Sequence, residues 1–226
     1  MRMLAFAGAT GIGAIALSPQ FDRLVDASFA WHMVQHLVLL FVVPLLLLLT
    51  RPFEFFSRAV GKEITATFVR KTRPLHVLAH PGLTLAFFTG YLWFMHFSAL
   101  YEGALEHPAL HAAEHGLLLV AGTLFWLPVI APAPMRPLPY PLRLLYLMVA
   151  LPQGALLGFA LDAARAPLYP HYANVLFGPA ALVDQRNGAA VMWIGGGLIL
   201  FTAFLVTFGV WARRESVAEW LQGEVA

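Results

Sequence analysis

Apolar residues run in long blocks along this chain, and polar residues gather between the blocks and at their ends. Six blocks approach or reach the about 17–25 residues with which a helix crosses a bilayer. They predict spans at about 3–18, 30–50, 80–100, 108–131, 142–162 and 188–212. Prolines mark the loops at Pro52, Pro74, Pro132, Pro134, Pro137, Pro139, Pro167 and Pro170. Pro108 suits the first turn of a helix, where its missing N–H costs nothing. Pro44, Pro128 and Pro152 fall inside spans and predict kinks that neighbouring helices accommodate. Gly195-Gly196-Gly197 lets another helix approach the last span closely. The pattern is that of an all-α, polytopic transmembrane helix bundle of about six spans, one integral membrane domain over residues 1–226.

Composition agrees. The 226 residues are 60% hydrophobic and 12% charged, with a mean hydropathy of +0.73, whereas a soluble domain carries roughly 25% charged residues. The stretch from Leu4 to Leu17 resembles the apolar core of a signal peptide, but Ser18-Pro19-Gln20 offers no small-x-small cleavage site. We read it as a short first span, or as the remnant of a longer N-terminus. No cysteine is present, so disulfides, iron–sulfur clusters, thiolate zinc sites and covalent c-type haem are excluded.

The basic residues set an orientation. If the loops between six spans alternate sides, one side takes Arg2, Arg51, Arg58, Lys62, Arg70, Lys71, Arg73, Arg136, Arg143, Arg213 and Arg214. The other takes only Arg23, Arg165 and Arg186, a division of 11 against 3. Both termini are then cytoplasmic, and the segment from Glu54 to His76 is an inner loop with room for an interfacial helix. The basic character reflects this topology and gives no indication of nucleic-acid binding.

On that topology His32, His36, His96, His107, His111, His115 and His171 fall at the outer face, and His76 and His80 at the inner one. His32-Met33-Val34-Gln35-His36 opens the second span, and the i, i+4 histidines stack on one face where both rings can grip one ion. The Met33 thioether nearby is a soft donor suited to Cu(I). His107, His111 and His115 form an i, i+4, i+8 stripe at the start of the fourth span, with Glu114 placed to orient a ring. An ionisable residue as deep as His115 is costly and normally faces a bundle interior with a partner. His96 closes the third span. Asp184 precedes the sixth and is suited to capping it or to binding metal. Met192 reads as packing, and His171 as an ordinary loop residue. For each histidine the plain alternative is a hydrogen-bonded packing or interfacial residue. There is no nucleotide loop, no H-E-x-x-H signature and no defensible Ser/His/Asp order, so an enzyme is the weakest reading. Gln153 alone is too little for a polar transport pathway.

His32-Met33-x-Gln35-His36, Leu100-Tyr101-Glu102, His111-x-x-Glu114-His115, Phe125-Trp126-x-Pro128, Leu168-Tyr169-Pro170, and Asp184-Gln185 followed by Met192-Trp193 together resemble the polytopic CtaG family of cytochrome c oxidase assembly factors. The resemblance covers about residues 15–210 and concerns the all-membrane kind, not the single-span copper chaperone that shares the name. It implies a multi-pass protein of the bacterial plasma membrane that helps mature a haem-copper oxidase. It also suggests a link to copper. Family members commonly have about seven spans, against six counted here.

The expectation is therefore a copper-handling assembly factor embedded in lipid. His32, His36, His111 and His115 are its main ligands, with His96, Met33, His107 and Asp184 secondary. Copper, as Cu(I), would come from an extracytoplasmic donor and pass to an oxidase subunit. A homo-oligomer is left open. So are two alternatives: a redox protein holding haem b between two histidines, and a metal-free assembly scaffold.

Overall fold

The computed structural model describes residues 2–61, 63–65, 67, 77–131, 135, 137–176 and 179–223. His76, Lys62, Arg70, Lys71, Arg73, Arg136, Pro74, Pro132 and Pro134 lie outside them. Among the described residues the regular structure is helical, with no strand. The principal elements are α1 (Arg2–Ala16), α2 (Pro19–Ala27), α3 (Phe29–Leu49), α4 (Pro52–Val60), α5 (Pro81–Phe97), α6 (Ala99–Glu106), α7 (Pro108–Ile130), α8 (Tyr140–Asp162), α9 (Pro170–Leu176), α10 (Pro179–Ala190) and α11 (Gly196–Gly223).

Helices α3, α7, α8 and the run Ala180–Val217 are each long and apolar enough to cross a bilayer. Two bent pairs, α1 with α2 at 52° and α5 with α6 at 70°, bring the number of candidate spans to six if each pair counts as one span. Serines make the bends: Ser18 and Ser98 each end one helix and accept from a backbone N–H in the first turn of the next. The long blocks thus become long or bent helices, and α2, α6 and α9 become short helices gathered at one end of the bundle. Outward faces are apolar, as at Leu145, Met148 and Phe159 of α8 and Leu198, Phe201 and Leu205 of α11. Lipid solvates such faces; in water they would drive association.

Prolines open α2, α4, α5, α7, α9 and α10 at their first position. Pro44 acts differently. It has no N–H for the carbonyl of Leu40 four residues back, and the turn just before it, Val38–Val42, widens to π geometry. A second π turn, Val191–Gly195, joins α10 to α11 and packs against α3. Mid-bundle, an aromatic block of Phe41, Phe88, Phe125, Trp126 and Tyr146 forms the floor below the polar end. Phe88 and Phe125 have centroids 4.5 Å apart, and the Trp126 indole donates to the Phe41 carbonyl at 3.0 Å.

The N-terminus of α3 is fixed from across the chain. The Ser28 hydroxyl and the Phe29 N–H both donate to the Asp184 carboxylate, at 2.7 and 2.6 Å. Asp184 therefore caps α3 and not its own helix. Losing an N-cap costs about 0.5–2 kcal/mol, so Asp184→Ala is expected to lower Tm in detergent, with a smaller drop for Ser28→Ala. Equal Tm values for Asp184→Ala and wild type would show that the cap contributes nothing.

Candidate metal centre

Three helix ends meet beneath the short helices. His32 and His36 come from the start of α3, His96 from the last turn of α5, and His111, Glu114 and His115 from the start of α7. Ring centroids lie 4.3 Å apart for His32–His36, 5.4 Å for His32–His111, 4.2 Å for His111–His115 and 6.3 Å for His36–His96. Glu114 sits between the helices. Its Oε1 is 3.5 Å from His36 Nε2 and its Oε2 is 3.8 Å from His32 Nε2. His32, His36, His96, Glu114 and His115 are all buried.

These contacts are too long for hydrogen bonds. Among the described residues, Nε2 of His32, His36, His96 and His111 and both oxygens of Glu114 are buried without a hydrogen-bond partner. Buried polar atoms are nearly always paired, and leaving one unmet costs about 1–3 kcal/mol. Six together form a concentrated deficit, which a cation bound among them would remove. Donors on a tetrahedral first-row ion, with bonds of about 2.0–2.2 Å, stand roughly 3.4 Å apart. The Glu114–histidine separations match that spacing. One ligand atom each from His32, His111 and Glu114 lie within 4.8 Å of one another.

A surrounding layer fixes the tautomers. Tyr172 donates to the Val25 carbonyl at 3.1 Å, and burial holds its phenol above the usual range, so it keeps that proton. It must then accept from His32 Nδ1, 2.9 Å away, which leaves Nε2 bare and facing Glu114. The Tyr101 hydroxyl lies 3.0 Å from the same Nδ1. His96 Nδ1 is 2.7 Å from the Leu92 carbonyl, an acceptor only, so its Nε2 is bare too. The Gln35 amide donates to the Ala16 carbonyl at 2.7 Å and to Asp22 at 3.1 Å. Its oxygen therefore accepts from His115 Nε2 at 3.0 Å, and His115 is left with Nδ1 as its free nitrogen. Ligating histidines are oriented in this way, through the nitrogen that does not bind.

The other candidate residues lie elsewhere. Met33 is buried against Gly188 of α10. His107 is the exposed residue preceding α7, with no side-chain cap bond. Asp184 spends both oxygens on the start of α3. His171 donates its backbone N–H to Glu102 at 2.7 Å and its ring reaches the Asp26 carbonyl at 3.1 Å. His80 caps α5 by accepting from the Gly82 N–H. Sequence reasoning gave Glu114 only a supporting part and assigned nothing to Tyr101, Tyr172 or Gln35. The signal for Glu114 was present: at i+3 from His111 it shares the face of the stripe. For the tyrosines no signal exists in the local pattern, because α6 and α9 reach the site only through tertiary packing.

Two comparisons bear on identity. Residues 1–214 match the family described as cytochrome c oxidase caa3 assembly factor (Caa3_CtaG). Uncharacterised proteins of Mycobacterium leprae, Mycobacterium bovis and Mycobacterium tuberculosis are each 25% identical over 204 residues, which is 84% of this chain and 31% of theirs. The chain thus spans about a third of the length of these curated relatives. No solved structure matches significantly.

Proposed function

The chain belongs to the cytochrome c oxidase caa3 assembly factor family, and from that premise we propose that it takes up a transition-metal ion, copper foremost, in the His/Glu chamber and releases it to an oxidase subunit during maturation. The single observation that supports this is the concentration of buried donor atoms without hydrogen-bond partners at His32, His36, His96, His111 and Glu114. Imidazole and carboxylate donors suit divalent first-row ions, among which copper binds most tightly. With the Met33 side chain against Gly188, the nitrogen and oxygen set fits Cu(II) at least as well as Cu(I). Copper is the cargo here; the protein supplies the donors and orients those of His32, His96 and His115 through their other ring nitrogen. His115 would contribute through Nδ1. His111, only half-buried, is the ligand through which an ion reaches the chamber.

The bias of basic residues supports a reading with this end of the bundle on the extracytoplasmic side of a bacterial plasma membrane and both termini cytoplasmic. An extracytoplasmic donor would then load the site. Haem fits the geometry less well. Tyr101 stacks on both His32 and His96, at 5.2 and 5.7 Å, and fills the space that a porphyrin between those helices needs.

The test is metal content and oxidase maturation together. The purified protein is expected to retain copper through desalting, and His111→Ala is expected to lose most of it. A strain lacking the protein should regain oxidase activity with wild type but not with His111→Ala. Copper-free wild-type protein after exposure to copper salt would overturn the reading.

A further inference from the structure

Two phenols meet one ring nitrogen in the wall of the chamber. The hydroxyls of Tyr172 and Tyr101 lie 2.9 and 3.0 Å from His32 Nδ1, and both tyrosines are buried. His32 belongs to the group that comes together with His111 and Glu114, and it faces Glu114 through Nε2. A neutral imidazole carries one N–H, so only its other nitrogen offers a lone pair to a metal. The two tyrosines bear differently on which nitrogen that is. Tyr172 spends its own proton on the Val25 carbonyl, 3.1 Å away. Toward Nδ1 it therefore presents lone pairs and requires an N–H. Tyr101 can donate or accept. It is also bonded to the Tyr172 hydroxyl, and its proton goes there while Nδ1 carries the imidazole N–H. Without the Tyr172 oxygen, the Tyr101 proton would turn to Nδ1. The imidazole proton would then sit on Nε2, beside Glu114, and the lone pair for a metal would be lost.

We propose that Tyr172 is the positioning residue of the metal centre: its hydroxyl keeps the His32 proton on Nδ1 and so keeps Nε2 open to an ion. Neighbouring short helices hold that hydroxyl in place. Next to it on α9, the His171 N–H donates to Glu102 of α6 at 2.7 Å, and the His171 ring reaches the Asp26 carbonyl of α2 at 3.1 Å. The capacity of α3 to bind metal thus depends on a residue 140 positions away in sequence. Tyr101 has a different part. Its ring stacks on His32 with centroids 5.2 Å apart and fills space, while its hydroxyl is dispensable for binding. The inference rests on the chamber's being a metal site.

Tyr172→Phe and Tyr101→Phe test it, because each removes one buried hydroxyl and keeps the ring. In titrations of the full chain in detergent with copper(II) sulfate, Tyr172→Phe is expected to weaken binding about 10–100-fold, the loss typical of a residue that orients a ligand. Tyr101→Phe should bind as wild type does. Nitrogen-15 NMR of the metal-free, histidine-labelled protein reads the cause. The His32 signals, identified by their loss in His32→Gln, should place the proton on Nδ1 in wild type and Tyr101→Phe, and on Nε2 in Tyr172→Phe. Equal copper affinity in wild type and Tyr172→Phe, equal losses in the two variants, or a wild-type His32 proton on Nε2 overturns the assignment while leaving the metal site standing. Zero copper in wild type overturns both this and the metal reading. If Tyr172→Phe does not fold, the wild-type His32 tautomer and the Tyr101→Phe affinity decide alone.

Discussion

Gly122→Ala is expected to prevent stable folding, or to lower Tm in detergent by more than any other single methyl added to the bundle. A Cβ at Gly122 would lie 1.9 Å from the Leu40 carbonyl oxygen, 2.8 Å from its carbon and 2.9 Å from Pro44 Cγ. Two of those atoms are backbone and the third is a ring, so no rotamer change relieves the clash, and α3 must move away from α7. Overpacking typically costs 1–3 kcal/mol and occasionally more; a rigid backbone contact belongs at or above about 3 kcal/mol. Alanine's better helix propensity returns at most about 1 kcal/mol. The damage would not stay local, because these helices carry His32 and His36 on one side and Glu114 and His115 on the other. Gly116 provides the control. It is on the same helix, and a Cβ there meets nothing within 4 Å, so Gly116→Ala should leave Tm unchanged or slightly raised. Equal Tm values for the two variants would show that α3 and α7 are not so closely apposed.

This contact also shows where reading the sequence stops. The spans were legible because each apolar block is long and lipid requires closed helical hydrogen bonding; the six blocks correspond to four unbroken helices and two bent pairs. Pro108 opens α7 as expected. The Gly195-Gly196-Gly197 run drew attention as a close-approach site, and Gly195 does press on Leu37, with a Cβ 2.8 Å from its Cδ1. But the tighter approaches are at single glycines, Gly122 against Leu40 and Gly188 against Phe29. Nothing along the chain separates these from Gly116 or Gly90, because the distinction is made by a helix remote in sequence.

The candidate site divides the same way. The i, i+4 pairs His32/His36 and His111/His115 are visible on a helical wheel, and topology alone puts them at one end. Their tautomers are not visible, since those of His32 and His115 depend on Tyr172 and Gln35, which meet the rings only after α3, α7 and α9 have packed together. Asp184 shows the converse. A carboxylate before a helix reads as that helix's own cap, yet its oxygens serve α3, 155 and 156 residues away in sequence.

Glu114→Gln should separate stability from metal binding, with the two effects opposite in sign. Glutamine keeps the volume and replaces one oxygen with an amide NH2. In the metal-free protein that NH2 faces the bare Nε2 of His32 or His36 and can donate to it, where the carboxylate leaves both sides unsatisfied. Removing such a deficit is worth about 1–3 kcal/mol, so the metal-free Tm should rise or hold. Copper retention should collapse. Altering a residue that merely orients a ligand costs 10–100-fold in affinity, and Glu114 is itself placed as a ligand between His32 and His36, so the loss should exceed about 100-fold. Sites built for function commonly sacrifice stability in this manner. Thermal unfolding and copper titration on one preparation read both quantities. A lower Tm with unchanged copper affinity would make Glu114 a structural element and remove the centre of the chamber.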